Sequence, residues 1–156
     1  MMAGARLPRT PQRSHMALLR ALTEAVGVSG DEAAVRSLVR EQVEPLADEI
    51  RVDALGNLLA IRRGSSRRRV RVMLSAHMDE VGLMVTGADP EGVLHVASVG
   101  GILPRELAGK AFWVGRARVP GVIGVTPPHL TRDKGPRPRL DVDQLRMDIG
   151  AAGRDE

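Results

Sequence analysis

VRVMLSAHMDE, residues 70–80, sets a β-branched, mostly apolar run directly before a histidine, an aspartate and a glutamate. Residues 70–76 (VRVMLSA) suit a strand covered on both faces, because such strands carry near-continuous apolar runs instead of a strict alternation. The strand would deliver the chain to His77 at its C-terminal end, where open α/β sheets place their ligand crevices. Residues two apart in an extended segment face the same side, so His77 and Asp79 can act together. The imidazole could ligate a metal through one nitrogen while Asp79 accepts a hydrogen bond from the other, or Asp79 could reach a metal itself. On spacing alone, a histidine hydrogen-bonded at a strand end is the commoner arrangement.

Upstream, Leu18, Leu19, Leu22 and Val26 recur at helical spacing and predict a helix over 15–26, with Ser14 as N-cap and Gly27 as its end. Ser29 and Glu32 stand three apart, the spacing of a capping box, ahead of a second amphipathic helix. Val35, Leu38, Val39, Val43 and Leu46 line its apolar face, and it should run to about Glu44, before Pro45. Ile50 and Val52 then alternate with charged residues, Leu55-Gly56-Asn57 is turn chemistry, and residues 58–61 return as an extended segment, which predicts a hairpin. Residues 62–69 (RRGSSRRR) hold five arginines and read as a solvated connection in preference to a nucleic-acid patch, since the block is short and flanked by strands.

Downstream, residues 81–86 and 93–99 predict two strands joined by the turn at 88–92. Residues 112–114, 116–119 and 122–125 predict three short strands punctuated by Gly115, Pro120, Gly121 and Gly124, the texture of a small β-barrel, so a domain boundary is expected near Leu103. Residues 134–139 (KGPRPR) read as an exposed loop and 144–149 as a final strand. The segment before Ser14 is basic, and Pro8 and Pro11 interrupt it; it reads as a disordered extension over 1–14 and not as a targeting sequence.

Composition narrows the chemistry. The 156 residues suffice for one domain, or one domain and a portion of another. No cysteine is present, so disulfides, thiolate metal sites and cysteine nucleophiles are excluded, and any metal must rest on histidine and carboxylates. No apolar run approaches the roughly 20 residues of a membrane span, and no signal segment is evident, which together predict a cytoplasmic protein with no membrane partner. The net charge of +4 comes almost wholly from arginine. Phe112 and Trp113 are the only aromatics, too few for the stacking platform of a single-strand binder, so no nucleic-acid partner is expected. Ser29 and Ser75 have no histidine at a suggestive spacing, which leaves a serine hydrolase without support.

Six segments, TEAVGVSGDE (23–32), VDALGNL (52–58), SAHMDEVGLMV (75–85), VGGI (99–102), GVTPPHL (124–130) and MDIGA (147–151), occur in an order and spacing that resemble the glutamyl, deblocking and tetrahedral aminopeptidases, some of which are labelled endoglucanases. The resemblance spans nearly everything after Ser14, and HMDE is its most specific element.

The resemblance implies an α/β fold: the N-terminal part of a three-layer α/β/α zinc-peptidase domain over 15–102, then an incomplete inserted β-barrel dimerisation domain over 103–156. It implies hydrolysis of N-terminal residues from short peptides, a homo-oligomer from dimer to dodecamer, and two divalent metal ions, zinc or cobalt. Such a pair polarises the scissile carbonyl and lowers the pKa of a bound water. By the same resemblance, His77 is a metal ligand and Asp79 the residue that orients it. The family's other ligands lie beyond the inserted domain, so the chain is expected to hold no stable metal site and to be inactive alone, an aminopeptidase by descent. The alternative is a non-catalytic oligomerisation or interaction fragment of the same family. His95 reads as a surface or packing residue, His129 as a structural position, and Asp141 and Asp143 as solvated. An incomplete sheet is also expected to expose apolar surface and dissolve poorly.

Overall fold

A computed structural model of the chain describes residues 12–65, 70–125 and 141–156. Of the extension expected over 1–14, residues 1–11 lie outside the described residues and residues 12–14 fall in the first helix; the arginines at 67–69 and the 126–140 segment with His129 and KGPRPR also lie outside the described residues. The chain divides into two compact units, Met1–Asp79 and Glu80–Glu156.

In the first unit, α1 (Gln12–Glu24) and α2 (Ala33–Val43) follow the two predicted apolar stripes. Helix α1 begins earlier than the pattern suggests: Ser14 lies inside it and does not cap it. Helix α2 stops where Pro45 removes an amide, and a single 3-10 turn, Glu44–Leu46, leads out of it. The predicted hairpin forms from β1 (Glu49–Val52) and β2 (Leu58–Ile61), antiparallel with Ile50 opposite Ala60 and Val52 opposite Leu58. Asp53 closes its turn, its carboxylate accepting from the amides of Leu55 and Asn57 and from the Asn57 side chain, each at 2.9 Å. Among the described residues of this unit, Val35 on α2 is the one buried hydrophobic side chain.

The strand expected over 70–76 does not form. Among the described residues the segment pairs with no strand, and Val70, Val72, Met73 and Leu74 are 81%, 79%, 87% and 93% exposed. Its pattern suits a strand flanked on both sides and covered on both faces, and neither neighbours nor cover come from the described residues. An apolar run records the environment it fits, but a strand exists only through hydrogen bonds to a second segment.

The second unit is a five-stranded antiparallel sheet in the order β3-β4-β7-β6-β5. β3 (Gly82–Ala88) and β4 (Leu94–Val99) form the predicted hairpin, its turn closed by Asp89, whose carboxylate accepts from the amides of Glu91 and Val93. β5 (Ala111–Val114) and β6 (Val119–Gly124) form a second hairpin. Where a separate strand was expected over 116–119, Gly115 and Arg118 both take positive φ, 64° and 52°, and reverse the chain. β7 (Arg146–Asp148) inserts between the two hairpins, opposite β4 on one side and β6 on the other. That register aligns Leu94, Met147 and Ile123 across three strands. Val96, Leu107, Ile123, Leu145 and Met147 form the buried core, with Phe112, Val114 and Ile149 packed at its margin. One sheet of this unit carries β3 and β4 together with β5 to β7.

Candidate functional site

The site is built within the first unit, from the loop before α2, the hairpin turn, and residues 76–79. Gly27 is buried against α2; a Cβ added there would lie 2.7 Å from Val35 Cγ2 and 3.3 Å from the Met78 carbonyl oxygen. Only a residue without a side chain lets the loop approach both. The chain then turns, with the Asp31 amide donating to the Val28 carbonyl at 2.8 Å.

The expected capping box is absent. Helix α2 starts at Ala33, so Glu32 occupies the N-cap position, and its carboxylate accepts from the Gly30 amide at 2.7 Å. Ser29 is left outside the helix, and its hydroxyl donates to Asp79 Oδ2 at 2.5 Å. A hydrogen bond to an ionised carboxylate is about twice as strong as one to a neutral acceptor, which explains why Ser29 serves Asp79 in preference to a helix amide. Arg36 joins α2 to the hairpin: its Nε donates to the Gly56 carbonyl at 2.8 Å while its Nη2 lies 3.7 Å from Glu32.

His77 and Asp79 meet as their spacing predicts, although no strand carries them. His77 Nδ1 lies 2.9 Å from the Asp79 carbonyl oxygen and 3.2 Å from Asp79 Oδ1. Both partners are acceptors, so Nδ1 carries a proton, and in the neutral ring Nε2 keeps its lone pair. The imidazole is 86% exposed and the Asp79 side chain 42%. The Ser29 hydroxyl, ahead of the Asp79 amide and His77, lowers the Asp79 pKa, keeping it ionised. Glu32 is likewise lowered, first by the Gly30 amide and its own, then by Arg36. A shallow concavity lies over these groups, lined by Glu32, Asn57, His77 and Asp79 with Leu55, Gly56, Ala76 and Met78.

This arrangement offers one outward imidazole nitrogen with an oriented carboxylate behind it. It fits one ligand of a metal centre and not a complete one, since zinc sites take three or four protein ligands. Among the described residues, no group of three or more His, Asp or Glu could hold a metal ion. His95 stands on β4 opposite Arg146, half-buried, and Asp141 caps a 3-10 turn. Ser29 was the residue that sequence reasoning missed: fifty positions separate it from Asp79, and no spacing rule connects them.

An α/β chain with an oriented histidine above a polar concavity is the class that the fold and site define. The profile of the family described as M42 glutamyl aminopeptidase matches residues 56–156, and the chain belongs to that family. It is 40% identical over 143 residues to the lysyl aminopeptidase of Pyrococcus furiosus, covering 89% of this chain and 40% of that protein. Among solved structures it is similar to a TET aminopeptidase from a marine sediment archaeon, Thaumarchaeota archaeon, with a TM-score of 0.83 and 32% identity over 94% of this chain and 41% of that one. The TET1 peptidase of Pyrococcus horikoshii, described as assembling into a tetrahedron or a large octahedral shell, gives a TM-score of 0.73 and 35% identity over 90% and 42%. The chain thus spans about two fifths of the length of the relatives it matches. No described helix is long and apolar enough to cross a membrane.

Proposed function

We propose that this chain is the N-terminal portion of a metal-dependent aminopeptidase that removes N-terminal residues from short peptides. The observation that carries the reading is the His77–Asp79 pair, its Nδ1 hydrogen bonds leaving Nε2 free to ligate, in a chain of this family. In this reading His77 contributes one ligand to a pair of divalent ions, zinc or cobalt, and Asp79 fixes the ring. A metal pair supplies polarisation of the scissile carbonyl and an activated water when bound. The described residues orient this one ligand, and no group of three or more His, Asp or Glu among them could hold a metal ion. Residues 15–102 belong in this reading to an α/β/α peptidase domain and residues 103–156 to an inserted β-barrel. A homo-oligomer is included in the same proposal, as is a cytoplasmic location, and the assembly described for the TET1 relative supports the former.

The alternative, a non-catalytic oligomerisation fragment, is favoured by one observation, the exposed apolar run from Val70 to Leu74. Chromophore release from a panel of aminoacyl anilides, with zinc or cobalt added, separates the readings when His77→Ala is assayed beside the native chain. Release that His77→Ala abolishes makes the chain an enzyme as it stands. No release, with His77 alone among the histidines responding to zinc in NMR spectra, is the expected result for one ligand of a larger centre. Release that survives His77→Ala overturns the role given to His77.

A further inference from the structure

We propose that Ser29 is the positioning residue of this site: its hydroxyl pins the Asp79 carboxylate, which in turn selects the His77 tautomer whose Nε2 faces outward as an acceptor. The inference rests on the metallopeptidase reading only for the use made of that nitrogen; the hydrogen-bond chain stands on its own geometry.

The Asp79 side chain is not held by burial, being 42% exposed, and the rotation of a carboxylate about its Cβ–Cγ bond is broad and soft. Left alone, it would exchange its two oxygens and drift from the ring. Ser29 removes that freedom. An ionised carboxylate only accepts, so the hydroxyl is the donor, and at 2.5 Å to Oδ2 the contact lies in the range of charge-assisted O–H···O bonds. With Oδ2 occupied, Oδ1 remains for His77 Nδ1 at 3.2 Å, beside the Asp79 carbonyl at 2.9 Å.

Ser29 is itself fixed by the chain on both sides. Gly27 brings the loop against Val35 and the Met78 carbonyl, and the Gly30 amide is tied to Glu32 at the start of α2. Thus α2 sets Ser29, Ser29 sets Asp79, and Asp79 sets the ring. Serine is chemically suited here because the position needs a short donor without charge. A longer or ionic donor would compete with the imidazole for the same carboxylate.

The test is long-range ¹⁵N–¹H NMR of the histidine rings in the full chain, above the pH at which imidazole is protonated, for the native protein, Ser29→Ala, Ser29→Thr and Asp79→Asn. The native His77 should show the Nδ1–H tautomer. Ser29→Ala should weaken that preference toward the mixed tautomers of a free imidazole, leaving the Asp79 carbonyl as the remaining acceptor, with His15 and His95 unchanged and the far-ultraviolet circular dichroism intact. Ser29→Thr, which restores the hydroxyl, should restore the tautomer, a rescue that a merely space-filling role would not give. A His77 tautomer unaffected by Ser29→Ala, or a native ring carrying its proton on Nε2, overturns the proposal. Zinc added to the native chain forms a separate arm. A His77 Nε2 resonance that shifts with zinc supports the metal reading, and the Ser29 result stands or falls by itself whatever zinc does.

Discussion

Gly27 and Met78 face each other so closely that a Cβ on the first would lie 3.3 Å from the carbonyl oxygen of the second, with Val35 Cγ2 at 2.7 Å on the other side. The path of residues 76–79 is therefore registered against α2 by a glycine and one buried valine. Gly27→Ala should force one of these neighbours to shift, at a cost of about 1–3 kcal/mol typical of overpacking. The measurement is hydrogen exchange of a peptide spanning 76–79, which should quicken in the variant while peptides from β4 and β6 keep their native protection.

The buried side chains of the second unit predict where stability resides. Leu145 is 0% exposed within the core, whereas Leu55 on the hairpin turn is 88% exposed. Leu145→Ala should cost about 2–5 kcal/mol through lost burial and a residual cavity. Leu55→Ala should fall within about 0.5 kcal/mol of the native chain. Urea unfolding followed by circular dichroism tests both, and equal midpoint shifts for the two variants would contradict the packing described.

Backbone conformation gives a prediction independent of packing. Gly115 has φ +64° with open space around it, and Gly101 has equally open space but no positive φ. Gly115→Ala should destabilise by about 1–2 kcal/mol, because an L side chain incurs a steric penalty in the left-handed region. Gly101→Ala should be neutral or stabilise by about 0.4–1 kcal/mol through a less entropic unfolded chain. Opposite signs in thermal unfolding are the expected result.

Acid should loosen the β1–β2 turn. The Asn57 side chain and amide, followed by the amides of Leu55 and Gly56, hold the Asp53 carboxylate below its ordinary pKa. A depressed folded pKa contributes stability above the unfolded value and loses it as pH falls through the folded one. The contribution is thus complete at neutral pH and disappears from about pH 4 downward. Carboxyl ¹³C titration should place the Asp53 midpoint below that of the isolated turn peptide, and Asp53→Asn should remove the associated pH dependence of the Leu55 and Asn57 amide shifts.

Self-association should follow from residues 70–74. Four apolar side chains there are at least 79% exposed in an unpaired, β-branched-rich segment, the kind of surface that templates pairing between chains. Sedimentation should show concentration-dependent assembly, and Leu74→Lys should raise the monomer fraction. A native chain that stays monomeric at high concentration would contradict this prediction.

The sequence by itself determined the elements whose signals are local. The stripe from Val35 to Val43 specified α2, Pro45 ended it, and the Asp53–Asn57 turn chemistry closed the first hairpin, since these depend on residues within one or two turns of chain. The alternation and glycines of 81–124 marked four strands, though the positive φ of Arg118 made a turn where a fifth was read. The His77–Asp79 pairing was legible because two-residue spacing puts side chains on one side of any extended segment. Only the tertiary structure decided what lies far apart in sequence: the insertion of β7 between two hairpins, the loss of the 70–76 strand for want of partners, and the reassignment of Ser29 from a helix cap to Asp79. Each is a choice between a local partner and a distant one, and the distant partner is decided by chain geometry that no spacing along the sequence encodes.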